Sequence, residues 1–130
     1  MYIEHVAIWS SNIEISKDFY IKYFEAVSNE KYISKNNPGF ESYFLKFNNG
    51  SRLEIMQHPN INQKNNFEML GFAHIAFAVK NKQEFDELIN RMQKENVKII
   101  SQPRLTGDGY YEACVLDPDN NKVEIIIQNF

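Results

Sequence analysis

The chain has 130 residues, 43% of them hydrophobic and 24% charged, which suits one compact globular domain and leaves no apolar run long enough to cross a membrane. Lys and Arg number 14 against 17 Asp and Glu, and a net charge of −3 excludes the basic footprint of a nucleic-acid binder. A single cysteine, Cys114, excludes an internal disulfide and fits a reducing cytosol; lying in an apolar stretch, it reads as a buried, inert thiol.

Tyr2 to Trp9 alternates as a strand, with Ile3, His5, Ala7 and Trp9 on one face and Val6 and Ile8 on the other. Met1 runs directly into it, so no signal peptide is expected and the location is cytoplasmic. Ser11-Asn12-Ile13-Glu14 has capping-box spacing and predicts a helix start. Ile15, Phe19 and Tyr23, with Tyr20 and Phe24, then give that helix a broad apolar face. A strand is expected around Val27 to Ser34, a turn at Asn36-Asn37-Pro38-Gly39 and a strand over Glu41 to Phe47. Asn48-Asn49-Gly50 is a hairpin signal leading into a strand over Arg52 to Met56. Gln57 to Leu70 is polar, carries Pro59 and reads as a linker.

Gly71 to Val79 is apolar, β-rich and opened by a glycine, and it reads as a buried strand. His74 shares a face with the small Ala76 and Ala78, while Ile75, Phe77 and Val79 fill the other. Lys82 to Asn96 is a predicted helix, with Phe85, Leu88, Ile89 and Met92 at i, i+3, i+4 and i+7. Val97 to Ser101 is a short strand, and Gln102-Pro103 and Gly107-Asp108-Gly109 bound a loop. Tyr110 to Leu116 is a strand, Asp117-Pro118-Asp119-Asn120-Asn121 a turn, and Lys122 to Gln128 the last strand. Both halves follow a β-α-β-β-β plan, residues 1–57 and 71–130.

The plan repeats residue by residue. His5 and His74 lie 69 positions apart, and Glu54 and Glu124 lie 70 apart. A half-domain of this size leaves one sheet face uncovered, so two modules must pair, within one chain or between chains. Glu54 stands between Leu53 and Ile55, and Glu124 between Val123 and Ile125. Each therefore points away from the helix side, sharing its face with Arg52 and Met56 or with Lys122 and Ile126. Burying a lone carboxylate costs several kcal/mol unless it is paired or bound to a metal. Two histidines and two glutamates on one concave face meet that cost together. Their imidazole nitrogens and carboxylate oxygens suit Zn, Ni, Co, Mn or Fe. The competing explanation is two unrelated hydrogen-bonded His–Glu pairs.

Glu4-His5-Val6-Ala7-Ile8, Ser51-Arg52-Leu53-Glu54-Ile55-Met56, Gly71-Phe72-Ala73-His74-Ile75-Ala76-Phe77 and Asp117-Pro118-Asp119-Asn120-Asn121-Lys122-Val123-Glu124-Ile125 together resemble the vicinal oxygen chelate superfamily, and within it glyoxalase I-like proteins, the relatives of lactoylglutathione lyase. The resemblance covers essentially the whole chain as one domain. It implies an α+β fold, two βαβββ modules forming a cupped, barrel-like mixed sheet with helices outside, in a homodimer. It implies one divalent metal, Zn or Ni ahead of Co, Mn or Fe, held by His5, Glu54, His74 and Glu124. Glu124 or Glu54, loosened from the metal, would be the base that moves a proton by way of an enediolate. Ring-cleaving dioxygenases and fosfomycin-inactivating relatives lack the Glu54 carboxylate, epimerase relatives carry Gln there, and bleomycin-sequestering relatives lack the set. Bacterial glyoxalase I proteins carry an arginine where this chain has Trp9, and many carry an asparagine where it has His58. Glutathione adducts are therefore expected to be poor substrates.

Arg52 is expected to point into the cup, to hold a substrate carboxylate or phosphate or to pair with a cup glutamate. Trp9 would wall the pocket. Arg104, Tyr110, Tyr111 and Glu112 flank the Gly107-Asp108-Gly109 loop near its mouth, where hairpin chemistry explains the glycines equally well. His58 is expected in solvent, and Glu14, Lys17 and Asp18, like Glu84, Glu87 and Lys94, on solvated helix faces. A metal-dependent lyase or isomerase acting on a small molecule is the first functional reading. A non-catalytic protein that sequesters an antibiotic or another small molecule is the second, and an oxygen-dependent dioxygenase of the same superfamily the third. Metal content separates the first two, since a sequestering protein needs none.

Overall fold

The computed structural model describes residues 1–64 and 70–127. Part of the expected linker, 65–69, and Gln128 at the expected end of the last strand lie outside the described residues. The chain divides into two compact units, 1–64 and 65–130, each with one helix and its own mixed sheet.

The first unit runs β1 (His5–Trp9), α1 (Ile13–Phe24), β2 (Val27–Ser28), β3 (Tyr32–Ile33), β4 (Glu41–Lys46) and β5 (Arg52–Gln57). Its sheet order is β1-β5-β4-β2, with β3 also paired to β4. β1 and β5 are parallel and β4 and β5 antiparallel. The core lies under α1, where Ile13, Phe19, Tyr20 and Tyr23 are buried together with Tyr43 and Leu45 of β4 and Leu53 and Ile55 of β5. Four details differ from the sequence expectation. The first strand begins at His5, not Tyr2, leaving residues 1–4 outside it. The expected strand around Val27 to Ser34 breaks into two two-residue pieces. The helix cap is Asn12, not Ser11: the Asn12 side chain accepts from the amides of Glu14 and Ile15, and Glu14 turns away to Lys17, Lys31 and Tyr43. With the helix starting at Ile13, the buried stripe runs 13, 16, 19, 20 and 23, and Ile15 falls beside it at 55% exposure.

The turn before β4 needs its glycine. Gly39 has φ 91°, and a Cβ there would come within 2.9 Å of the Pro59 ring.

The second unit runs β6 (Ile75–Val79), α2 (Lys82–Lys94), β7 (Ile99–Leu105), β8 (Tyr111–Leu116) and β9 (Lys122–Ile127), with sheet order β6-β9-β8-β7. β6 and β9 are parallel. Phe85, Leu88, Ile89 and Met92 are the buried side chains of α2, as the spacing predicts, and they share the core with Val123, Ile125 and Ile127 of β9. Asp117 builds the turn into β9: its buried carboxylate accepts from the amides of Asp119 and Asn121 and from Asn121 Nδ2. Two expectations are corrected. β6 starts at Ile75 and is not buried: Ile75, Phe77 and Val79 are half-buried and Ala76 and Ala78 exposed, as an edge strand allows. β7 does not stop at Ser101 but continues through Pro103. It is the other edge strand of its sheet, and the register shifts between Ser101 and Arg104, so the missing proline N–H breaks no regular ladder.

Candidate metal centre

His5 and Glu54 reach one sheet face through strand pairing. Ala7 of β1 lies directly opposite Glu54 of β5, and His5, two residues before Ala7, shares that face. Leu53 and Ile55 turn the other way, into the core. The Glu54 side chain is left 15% exposed, with Oε2 3.8 Å from His5 Nε2. The second unit repeats the construction. Ala76 lies opposite Glu124, Val123 and Ile125 turn into the core, and the Glu124 side chain is 22% exposed, with Oε2 3.2 Å from His74 Nε2. The 69- and 70-residue offsets of the sequence therefore match equivalent pairs in the strand register.

The spacing of these atoms suits a shared cation. Ligands about 2.1 Å from one metal lie roughly 3.0–3.4 Å apart when they are neighbours; the His74–Glu124 separation of 3.2 Å falls in that range and the His5–Glu54 separation of 3.8 Å is longer. Neither pair is aligned as a hydrogen bond. Within either unit, no third His, Cys, Asp or Glu completes a metal-binding cluster among the described residues. Among the described residues, each unit supplies one such pair of donors.

The two histidines differ in their other ring nitrogen. His5 Nδ1 lies 2.5 Å from Glu4 Oε2. Glu4 Oε1 accepts in turn from Arg52 Nε at 2.6 Å and pairs with Arg52 Nη2 at 2.5 Å. The hydrogen bond from His5, and then Arg52, hold the Glu4 carboxyl below the usual carboxylate range. Arg52 lies over the Phe44 ring at 4.2 Å, and Phe44 meets the His5 ring edge to face at 5.3 Å. Glu4 was not singled out in the sequence as a site residue. Strand alternation alone would put it on the face opposite His5, but residue 4 precedes β1 and is free of that alternation.

A family model described as the Glyoxalase/Bleomycin resistance protein/Dioxygenase superfamily matches residues 2–125. The chain belongs to that superfamily. The Bacillus subtilis (strain 168) protein YqjT is 23% identical over 129 residues, which cover 95% of this chain and 97% of YqjT. A glyoxylase/bleomycin resistance protein/dioxygenase domain from Frankia sp. EAN1pec superposes with a TM-score of 0.84 at 15% identity, covering 98% of this chain and 97% of that one. The trypanothione-dependent glyoxalase I of Leishmania major superposes with a TM-score of 0.78 at 22% identity, covering 98% and 86%. These likenesses show the fold: an α+β chain of two βαβββ modules with mixed sheets, the fold of this superfamily.

The remaining candidates of the superfamily site are placed unevenly. Arg52 shares the face of Glu54, but its ion-pair partner is Glu4, not a glutamate of the candidate ligand set. Trp9, opposite Met56 on the same face, keeps 43% exposure and meets Phe40 edge to face at 6.1 Å. Arg104 pairs with Glu112 across the β7–β8 ladder at 3.1 Å. Tyr110 closes the turn before β8, exchanging hydrogen bonds with Thr106. Tyr111 corrects the sequence expectation. It pairs with the core residue Ile127 and packs on Phe85 of α2 at 5.1 Å, so it faces the helix, away from Glu124. His58 is half-buried rather than in solvent, its Nδ1 accepting from the Asn60 amide. Cys114 lies opposite Glu124 in the ladder, and burial first, then the Glu124 charge, push its thiol up, away from the reactive thiolate.

Proposed function

We propose that this chain is a metal-dependent lyase or isomerase of glyoxalase I type, with His5, Glu54, His74 and Glu124 as the ligand set of one divalent ion, Zn or Ni ahead of Co, Mn or Fe. The observation that carries the reading is the repeated pair, an imidazole Nε2 and a carboxylate Oε2 at 3.8 Å in one unit and 3.2 Å in the other. One pair offers two donors, fewer than a metal site needs. Two pairs offer four and leave positions open for substrate. A bound metal would supply Lewis-acid polarisation of two vicinal oxygens of a small substrate. The chain's own part is to move the proton. A carboxylate oxygen of Glu124 or Glu54 takes it from the carbon α to a carbonyl and returns it to the neighbouring carbon. Both glutamates stand on hydrogen-bonded strands rather than loops, which holds the base in one place while the proton moves.

Trp9 and Arg52 shape the substrate side of the same proposal, with Arg104 and Tyr110 at the rim. Trp9 offers an apolar wall and no cation, and Glu4 already takes two of the Arg52 donors. A glutathione carboxylate would therefore go without its guanidinium, and an unpaired charge costs more than the lost contact. A small oxygen chelate, or an adduct of another thiol, fits better; the Leishmania relative is described as trypanothione-dependent, which supports looking among other thiols. A homodimer belongs to the proposal too, since an open module needs a second one to cover it.

Steady-state assays on the metal-loaded protein test the reading. The hemithioacetal of methylglyoxal and glutathione is expected to turn over poorly or not at all. A kcat/KM on the order of 10⁶ M⁻¹s⁻¹ or better would show a plain glyoxalase I and overturn the substrate argument. With the preferred substrate, Glu124→Gln or Glu54→Gln should cost about 10²–10⁴-fold in kcat, whichever carboxylate is the base. Tight stoichiometric ligand binding by protein free of metal would return the sequestering reading instead.

A further inference from the structure

We propose that Glu4 is a positioning residue for His5: it fixes the ring in the Nδ1–H form with Nε2 turned toward Glu54, and Arg52 locks the Glu4 carboxylate in place. The inference rests on the proposed role of His5 as a metal ligand. A neutral imidazole carries one N–H, and the nitrogen without it is the donor to a metal. Glu4 Oε2, 2.5 Å from Nδ1, takes the proton-bearing side of the ring, which leaves the Nε2 lone pair on the side of Glu54. A partner of this kind orients a ligand histidine and raises its basicity.

Glu4 is itself held from several directions. Its Oε1 accepts from Arg52 Nε, and its backbone carbonyl accepts from the Arg52 amide at 3.0 Å. Arg52 lies on Phe44, and Phe44 meets the His5 ring, so the four side chains close a loop. An ordinary surface ion pair between Glu4 and Arg52 would not require the second carboxylate oxygen to meet the histidine. Among the described residues the second unit shows no such device. Its counterparts of Glu4 and Arg52 in the 69- and 70-residue registers are Ala73 and Lys122. Among the described residues, His5 therefore has a carboxylate at each ring nitrogen, whereas His74 has only that of Glu124, at Nε2.

The test combines ¹⁵N NMR of the histidine rings in metal-free protein with Zn²⁺ affinity by competition against a chelating dye, for wild type, Glu4→Ala, Glu4→Gln and His5→Ala. In wild type, His5 is expected in the Nδ1–H form. Glu4→Ala should mix its tautomers, leave the His74 signals unmoved and weaken Zn²⁺ binding about 10–100-fold, the usual cost of losing such a partner. Glu4→Gln keeps an acceptor without the charge and should fall between the two, which also guards against a folding defect in the alanine variant. If His5→Ala loses Zn²⁺ while Glu4→Ala keeps wild-type affinity and tautomer, the role of Glu4 is overturned and the metal reading stands. If His5→Ala binds Zn²⁺ as wild type does, the metal reading falls and takes this proposal with it, while the NMR still reports whether Glu4 orients the ring.

Discussion

Glu14 shows how far a charged side chain's role depends on its company. The sequence places it on a solvated helix face, yet in the fold it accepts from Lys31, Lys17 and the Tyr43 hydroxyl, in that order of weight, and its pKa falls to about 2. The partners Lys31, just before β3, and Tyr43, in β4, lie outside the helix, and sequence spacing does not reveal them. A carboxylate whose pKa is lowered on folding stabilises the fold above its unfolded value, and the contribution is lost as pH falls from there toward about 2. The side chain is 45% exposed, so solvent screening reduces the contribution to about 1 kcal/mol or less. Glu14→Gln should lower the melting temperature by a few degrees at pH 7 in low salt. The gap from wild type should close at pH 2 and shrink in high salt; an equal gap at both pH values would rule out the ionic explanation. Arg52 depends on its company in the same way. Its face followed from alternation, but its partner, Glu4, sits where the strand has not yet begun.

Elements with a strong period were legible, and edges were not. The spacing of Phe85, Leu88, Ile89 and Met92 predicts the buried face of α2 without error, because one helix lies on one sheet face and nothing competes. In α1, Phe19, Tyr20 and Tyr23 lie on one face; Ile13 and Ser16 fall within that face and are buried, whereas Ile15 falls beside it. β7 passes through Pro103 because an edge strand has no partner to lose on its outer side, and β6 is half-open for the same reason of position. Asn81 caps α2 by accepting from the Glu84 amide. Asn81→Ala should cost about 1 kcal/mol, whereas Phe85→Ala, which empties a fully buried site, should cost about 3–5 kcal/mol. Chemical denaturation measures both. A cap variant as damaging as the core variant would show that α2 is held by its end rather than by its face.

Over the whole molecule, the internal repeat was the most informative signal in the sequence. It placed a histidine and a glutamate on matching strands in each half, and the parallel registers Ala7–Glu54 and Ala76–Glu124 are what those offsets require. Substrate contacts were less legible. Tyr111, the first residue of β8, shares the face of Ala113 and Val115 and so turns to the helix. The repeat also underlies the proposed dimer: light scattering should give twice the chain mass across a dilution series, and a monomer throughout would remove that part of the proposal. The most direct measurement is the metal content of the purified protein and of its His5→Ala and His74→Ala variants, by elemental analysis after equal exposure to Zn²⁺ or Ni²⁺. The expected result is one divalent ion per site in the wild type. Each variant should lose affinity by more than the roughly 10–100-fold that follows loss of an outer partner. Unchanged metal content in both variants, or none in the wild type, would contradict the assignment of His5, Glu54, His74 and Glu124 as a metal centre.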